Sequence, residues 1–269
     1  MSPSKIKLYG FNNLTKTLSF NIYDVCYTRD AKERKAYIEY IDEQYNSERL
    51  TQILEQVASI IDAKVLNVAK QDYEPQGASV TVLISESQVD QKDIDPSCNQ
   101  GVLPVKKSVV GHLDKSHLTV HTYPESHPDN HISTFRVDID VSTCGQVSPL
   151  KALNYLIGCF DSDIIILDYR IRGFTRDIDG LKHFNDHTML SIQDYIDPTI
   201  LEKYTKIDVN LNHSNIFHTQ MMIDKFVLDN YLFTADASKL STIEKVQIKQ
   251  EINQEIVEIF YGMNIPNMD

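Results

Sequence analysis

The chain has 269 residues and a formal net charge of −12, with 26 Lys and Arg against 38 Asp and Glu. This length predicts one large domain or two modest ones, with a core that needs no disulfide staples. A composition of 42% hydrophobic and 24% charged residues excludes a wholly disordered chain. An acidic chain without a basic stripe also argues against nucleic acid and anionic membranes as partners.

The sequence predicts a cytoplasmic protein. No apolar run approaches the roughly 18 residues of a membrane span, and the polar residues after Met1 do not form a signal peptide. The cysteines are widely spaced, with no CxxC pair, and are predicted to be reduced thiols. They are Cys26, Cys98, Cys144 and Cys159.

Alternating and helical spacing of apolar residues predicts the elements of the first half. In order, these are a strand at 18–25, helices at 31–45 and 48–61, and strands at 64–70 and 78–85. Residues 86–108 follow as a polar segment that holds Pro96 and Pro104. They predict a long loop of the kind that is mobile or functional.

The second half predicts strands at 117–123, 132–141 and 163–169, with a helix from Pro149 to about 160 before the last of them. The pattern then becomes less regular until a helix at 242–261, which opens on the capping box Ser241–Glu244 and stops at Gly262. This order predicts an α+β sandwich, a mainly antiparallel sheet with helices packed on one face. We place a core at 1–174 and a partly helical C-terminal extension at 175–269.

Five of the nine histidines lie between residues 112 and 131: His112, His117, His121, His127 and His131. Their spacings contain no HExxH motif, so a metal site and a merely His-rich strand and loop both stay open. Neither interpretation explains the sequence around them.

That surrounding sequence resembles a known family. Residues 115–125 read KSHLTVHTYPE and are similar to the self-cleaving site of S-adenosylmethionine decarboxylases. Residues 142–152, STCGQVSPLKA, resemble the loop of that family that carries a catalytic cysteine. Segments 8–15 and 71–79 are also similar, and the length resembles the long form found in Gram-negative bacteria.

The resemblance implies a proenzyme that cuts itself between Lys115 and Ser116 and converts Ser116 into a covalent pyruvoyl group. The pyruvoyl ketone would form a Schiff base with the substrate amine and act as the electron sink for decarboxylation. By resemblance, His121 is the proton acceptor in self-cleavage. Because side chains five residues apart on a strand face opposite ways, contact with Ser116 requires a bend near the cut.

By resemblance, Cys144 donates the proton to the decarboxylated substrate, since a thiol is protonated at neutral pH yet able to give up its proton. Phe11 and Tyr73 are candidates to stack on adenine or face the sulfonium. Glu125 is a candidate for the ribose hydroxyls or the cation. Ser79 resembles a residue that assists processing in short bacterial relatives.

The product would be decarboxylated S-adenosylmethionine, the aminopropyl donor for spermidine synthesis. The family also implies a tetramer of α/β heterodimers and Mg²⁺ as a possible activator. Its ligands are unknown, because Asp177, Asp179 and Asp186 are expected to form a solvated face. Two alternatives stay open: an inactive homologue that activates an active partner, and a pyruvoyl decarboxylase for another amino acid. The presence of Ser116, His121 and Cys144 argues against the first.

Overall fold

The computed structural model describes residues 6–10, 12–86, 116–128 and 130–265. Its main element is one sheet of eight strands in the order β2-β3-β4-β5-β1-β6-β10-β9, and each neighbouring pair is antiparallel. These strands are β1 Thr15–Tyr27, β2 Ala63–Asp72, β3 Ala78–Glu86, β4 Ser116–Ser126, β5 Ile132–Cys144, β6 Ile164–Arg172, β9 Tyr204–Asp208 and β10 Ile216–Ile223. A small two-stranded sheet joins β7 Thr175–Arg176 to β8 Lys182–His183.

The helices are α1 Ala31–Gln44, α2 Ser47–Ile60, α3 Leu153–Cys159, α4 Pro198–Leu201 and α5 Thr242–Tyr261. Asp30 and Asn46 cap α1 and α2 by accepting hydrogen bonds from the first-turn N–H groups. The helix predicted from Pro149 begins as a 3₁₀ turn over Pro149–Ala152 and continues as α3.

The predicted stop and start signals of the last helix are confirmed. Ser241 and Glu244 form a reciprocal capping box at the start of α5, and Gly262 ends it at φ 64°, in the left-handed region that favours glycine. The long loop predicted at 86–108 lies, apart from its first residue, outside the described residues.

Helices cover the two faces of the sheet unequally. Apolar side chains of α1, α2 and α3 pack with Ile165 and Leu167 of β6 in the main core. Ile164 and Ile166, which alternate with them along the same strand, belong to a second cluster with α5. Because alternate side chains on a strand point to opposite faces, α5 lies on the face opposite the other three helices. The predicted α+β class is therefore confirmed, with the C-terminal helix placed behind the sheet.

The predicted boundary after residue 174 falls just beyond β6. The chain beyond it adds β10 and β9 to the same sheet, with β10 paired to β6 from Ile216↔Arg170 to Met222↔Ile164. The segment that looked irregular in the sequence therefore extends the core sheet by two strands.

Candidate active site

Ser116 and Cys144 meet where β4 begins and β5 ends. The two strands are antiparallel, with His117 opposite Ser142, so Ser116 at the start of β4 lies opposite Thr143 and next to Cys144 at the end of β5. Ser116 is only 5% exposed. Its Oγ accepts a hydrogen bond from the Cys144 backbone N–H at 3.2 Å. The structure thus brings together two of the three residues to which the sequence assigns chemistry.

The chain turns sharply after Cys144. Gly145 has φ 65° in the left-handed region, where a side chain is disfavoured, and its N–H donates to the Leu14 carbonyl at 3.0 Å. Thr143, on the core side of β5, is fully buried, whereas Cys144 is half-buried and follows Ser142 on the other face. The Cys144 backbone therefore contacts Ser116, while its thiol belongs to the open face of the sheet.

His121 lies apart from this pair. β4 runs without interruption from Ser116 to Ser126, so the bend expected near the cut is not found within these residues. Five residues at a rise of roughly 3.3 Å each put the backbones of Ser116 and His121 about 16 Å apart, with side chains on opposite faces. The contact between them required by the sequence interpretation is not present in this structure.

His121 instead lies with two other predicted site residues. Its strand partner on β3 is Ser79, and the Tyr73 hydroxyl is 3.5 Å from its Nδ1. Tyr73 is held at the β2–β3 turn, where its N–H donates to the Gly77 carbonyl at 2.7 Å. A Cβ at Gly77 would lie 2.6 Å from the Thr122 carbonyl, so only glycine allows this close approach of the turn to β4.

The remaining candidates are placed as follows. Glu125 lies near the far end of β4, nine residues or about 30 Å from Ser116 at the usual strand rise. It faces α5, where burial raises the pKa of Glu255 and the charge of Glu125 raises it further. Phe11 and Lys115 lie outside the described residues.

An open cleft of about 300 Å³ lies on the face of the sheet that also carries α5, opposite the face to which the Ser116 side chain points. His117, the neighbour of Ser116, contributes to it with polar and charged side chains of β1, β5 and β6. The lining residues are Thr17, Ser19, His117, Asp140, Val141, Ser142, Arg170 and Arg172. Within the described part of the chain, no helix is long and apolar enough to cross a membrane.

Sequence comparison identifies the family. Proteins named "S-adenosylmethionine decarboxylase proenzyme" from Clostridium botulinum (strain Alaska E43 / Type E3) and Clostridium beijerinckii are 63% and 62% identical to this chain over 265 residues. These alignments cover 97% of this chain and 97% and 98% of the relatives. The chain belongs to the S-adenosylmethionine decarboxylase family.

Three further comparisons give the extent of the similarity along the chain. The family model described as S-adenosylmethionine decarboxylase matches residues 99–173, a range that holds Ser116, His121 and Cys144. A relative of the same proenzyme name from Alkalilimnicola ehrlichii is 60% identical over 97% of this chain and 96% of its own. The solved adenosylmethionine decarboxylase of Aquifex aeolicus covers 60% of this chain and 90% of that one, at 16% identity and a TM-score of 0.29.

The acidic residues considered for Mg²⁺ do not form a common site. Among the described residues, no group of three or more His, Cys, Asp or Glu side chains could hold a metal ion. The expectation that Asp186 lies on a solvated face is wrong, because it is 17% exposed and forms an ion pair with Lys16 at 2.6 Å. Asp177, at 16% exposed, is also largely covered and contacts His183 Nε2 at 2.8 Å, whereas Asp179 is exposed.

The residues that hold the turn at Cys144 and Gly145 were not predicted from the sequence. Lys16 is 2% exposed, and its ammonium contacts the Gly145 carbonyl at 3.0 Å. It occupies a core-facing position of β1, two residues before Leu18, where the alternation calls for an apolar side chain. A charge in an apolar position is the signal that could have identified it. The strand predicted from the sequence spans 18–25 and leaves Lys16 outside it.

Proposed function

We propose that this chain cuts itself between Lys115 and Ser116 and then decarboxylates S-adenosylmethionine, giving carbon dioxide and the aminopropyl donor for spermidine. The hydrogen bond between the Cys144 N–H and Ser116 Oγ carries the proposal. It joins a nucleophile for self-cleavage to a proton donor for turnover, in a chain 63% identical to proteins named as proenzymes of this decarboxylase.

Self-cleavage needs a nucleophilic oxygen that is also a leaving group. Ser116 Oγ attacks the Lys115 carbonyl carbon, the C–N bond breaks, and the peptide becomes an ester. Loss of the Ser116 α-proton then expels the Lys115 carboxylate and leaves a dehydroalanine, which water converts to pyruvoyl and ammonia. The Cys144 N–H supports this step because it fixes the direction of the attacking oxygen.

The proposed cut falls at the start of a strand of the sheet. Ser116 is the first residue of β4, so a break before it leaves every described strand intact. The resulting chains are interleaved, because β1 of the 1–115 chain lies between β5 and β6 of the 116–269 chain. This supports one folded unit built from two chains.

The family resemblance implies a pyruvoyl group at residue 116. Such a group, once formed, supplies an electron sink for the loss of carbon dioxide. The thiol of Cys144 is then available on the open face to deliver a proton to the substrate carbon. The polar cleft beside His117 opens on the same face and offers a route for substrate.

Other parts of the proposal rest on the family resemblance. His121 is proposed as the base of self-cleavage and Ser79 as its helper, and their pairing across β3 and β4 is compatible with a shared role. Phe11, Tyr73 and Glu125 are proposed to bind substrate. We also propose a tetramer of α/β heterodimers, a cytoplasmic location and Mg²⁺ as an activator without an assigned ligand set.

One assay tests the activity. Purified protein is given S-adenosylmethionine, arginine or ornithine, each labelled in the carboxyl carbon, and released carbon dioxide is counted. Release from S-adenosylmethionine alone is expected. Release from an amino acid instead would assign a different decarboxylase, and release from none would indicate an inactive homologue. Ser116→Ala serves as the matched control, because it lacks the group that forms pyruvoyl.

A further inference from the structure

A buried charge lies directly behind the catalytic turn. Lys16 lies on the core face of β1, between Leu14, just before the strand, and Leu18, which are both fully buried. Removing an ammonium from water is strongly unfavourable unless it finds charged and hydrogen-bonding partners. Lys16 Nζ finds two, the Asp186 carboxylate at 2.6 Å and the Gly145 carbonyl at 3.0 Å.

Asn12 donates a second hydrogen bond to each of these two acceptors. Its side-chain nitrogen donates to the Gly145 carbonyl at 3.1 Å and to the same oxygen of Asp186 at 3.0 Å. The other oxygen of Asp186 contacts His187 Nδ1 at 2.8 Å. Burial alone would raise the pKa of Asp186, but the His187 hydrogen bond and the Lys16 charge outweigh it and lower that pKa to about 2. The carboxylate is therefore ionised at neutral pH.

We propose that Lys16 and Asp186 are positioning residues that hold the Gly145 peptide, and with it Cys144, against Ser116. This inference rests on the proposed roles of Ser116 and Cys144. Two side-chain donors fix the Gly145 carbonyl, and the Leu14 carbonyl fixes its N–H. Both ends of the residue after Cys144 are thus tied to the segment 12–16.

The same contacts give the chain beyond residue 174 a part in the reaction. Asp186 belongs to that C-terminal segment, while Asn12 and Lys16 belong to the 1–115 chain and Gly145 to the core of the 116–269 chain. The three parts meet at this turn through these side chains. The extension therefore neutralises the buried charge that holds the catalytic turn in place.

A loosened turn would impair chemistry more than binding. A displacement of about 1 Å at a reacting group can cost about 100-fold in rate. Lys16 points into the core, away from the open cleft, so its loss removes no contact on the side where substrate enters. Lys16→Met is therefore expected to lower kcat by about 10-fold or more, to slow self-cleavage similarly, and to leave KM within about twofold.

The control lies at the opposite end of β1, where a second ion pair, within the core, accepts a hydrogen bond from the extension. Arg29 pairs with Glu33, which also accepts a hydrogen bond from Thr234. Glu33→Gln weakens this contact. The contact is far from Cys144, because Cys144 pairs with Thr15 at the start of β1 and Glu33 lies beyond its end. We expect Glu33→Gln to lower the unfolding midpoint as Lys16→Met does, yet to keep the wild-type cleavage rate and kcat.

A third variant tests the proposal even if Lys16→Met fails to fold. Asn12→Ala removes the other donor to the Gly145 carbonyl and leaves the Lys16–Asp186 pair intact. A fall in kcat and cleavage rate with unchanged KM supports the proposal. Wild-type kcat in both variants, or losses that only track the unfolding midpoint as in Glu33→Gln, would overturn it. Full activity of Cys144→Ala would instead refute the proposed role of Cys144.

Discussion

The backbone N–H of Cys144 donates a hydrogen bond to the side chain of Ser116, across 3.2 Å and 28 positions of sequence. Because the donor is the backbone, this contact does not depend on the cysteine side chain. The thiol lies on the face of β5 opposite the core, so it is available for a separate chemical step. In the proposed reaction, Cys144 therefore serves both stages through two different groups, its backbone N–H and its thiol.

Cys144→Ala should separate those stages. The variant keeps the N–H that orients Ser116, so self-cleavage should proceed at close to the wild-type rate. It loses the thiol, so turnover of S-adenosylmethionine should fall by about 100-fold or more, as for removal of a general acid. Denaturing gels follow cleavage and labelled carbon dioxide follows turnover. Wild-type turnover would show that another group protonates the substrate.

His121 and His117 form a matched pair for testing the base of self-cleavage. Both lie on the same face of β4, opposite the Ser116 side chain, and His117 is the immediate neighbour of Ser116. The proposed role predicts that His121→Ala slows the appearance of cleaved chains while His117→Ala does not. The opposite pattern, measured by gel over time, would move the role to His117.

The two chains made by self-cleavage should stay together without a covalent link. β1 pairs with β5 along its whole length, from Thr15↔Cys144 to Tyr27↔Ile132, and with β6 on its other side. Extracting the 1–115 chain would break both ladders in the middle of the sheet. Gel filtration should therefore give one peak that contains both fragments. Separate elution under native conditions would contradict this sheet order.

A buried carboxyl group predicts a pH dependence of stability. Burial raises the pKa of Asp163 to about 6, even though Tyr231 and the Val25 N–H donate hydrogen bonds to it. A carboxyl group with a raised folded pKa destabilises the fold when ionised. The contribution of Asp163 to stability should therefore fall as the pH rises from about 4 to about 6, by roughly 3 kcal/mol at most.

Asp163→Asn should flatten that slope, because the amide stays neutral. Urea unfolding at pH 4.5 and pH 7 measures it, in a Ser116→Ala background that keeps a single chain. Glu43→Gln, which changes an exposed carboxylate of α1, is the control and should leave the slope unchanged. An unaltered slope in Asp163→Asn would show that Asp163 does not titrate as described.

Most regular elements were predictable because their patterns are local. The capping box at Ser241 and the alternation of β5 fix those elements from neighbouring residues alone. β9 and β10 were not predicted. Each is short and depends on pairing with a distant strand, β10 with β6, which the local pattern does not encode.

For the candidate site too, the sequence identifies residues but not the contacts between them. The motifs named Ser116, His121 and Cys144, but only the sheet register shows that the first and third meet while His121 lies beside Tyr73 and Ser79. Lys16 and Asp186 were missed or misplaced, since their pairing joins residues 170 positions apart. An acidic residue in an irregular segment resembles a solvated one until its partner is known.

The intact mass of the purified, active protein tests the central claim most directly. Two chains are expected, residues 1–115 and 116–269, the second lighter by the mass of ammonia than a simple hydrolysis product because pyruvoyl replaces its first residue. Ser116→Ala should give one full-length mass and no activity. An active preparation with a single full-length mass, or a 116–269 chain that still begins with serine, would contradict the account.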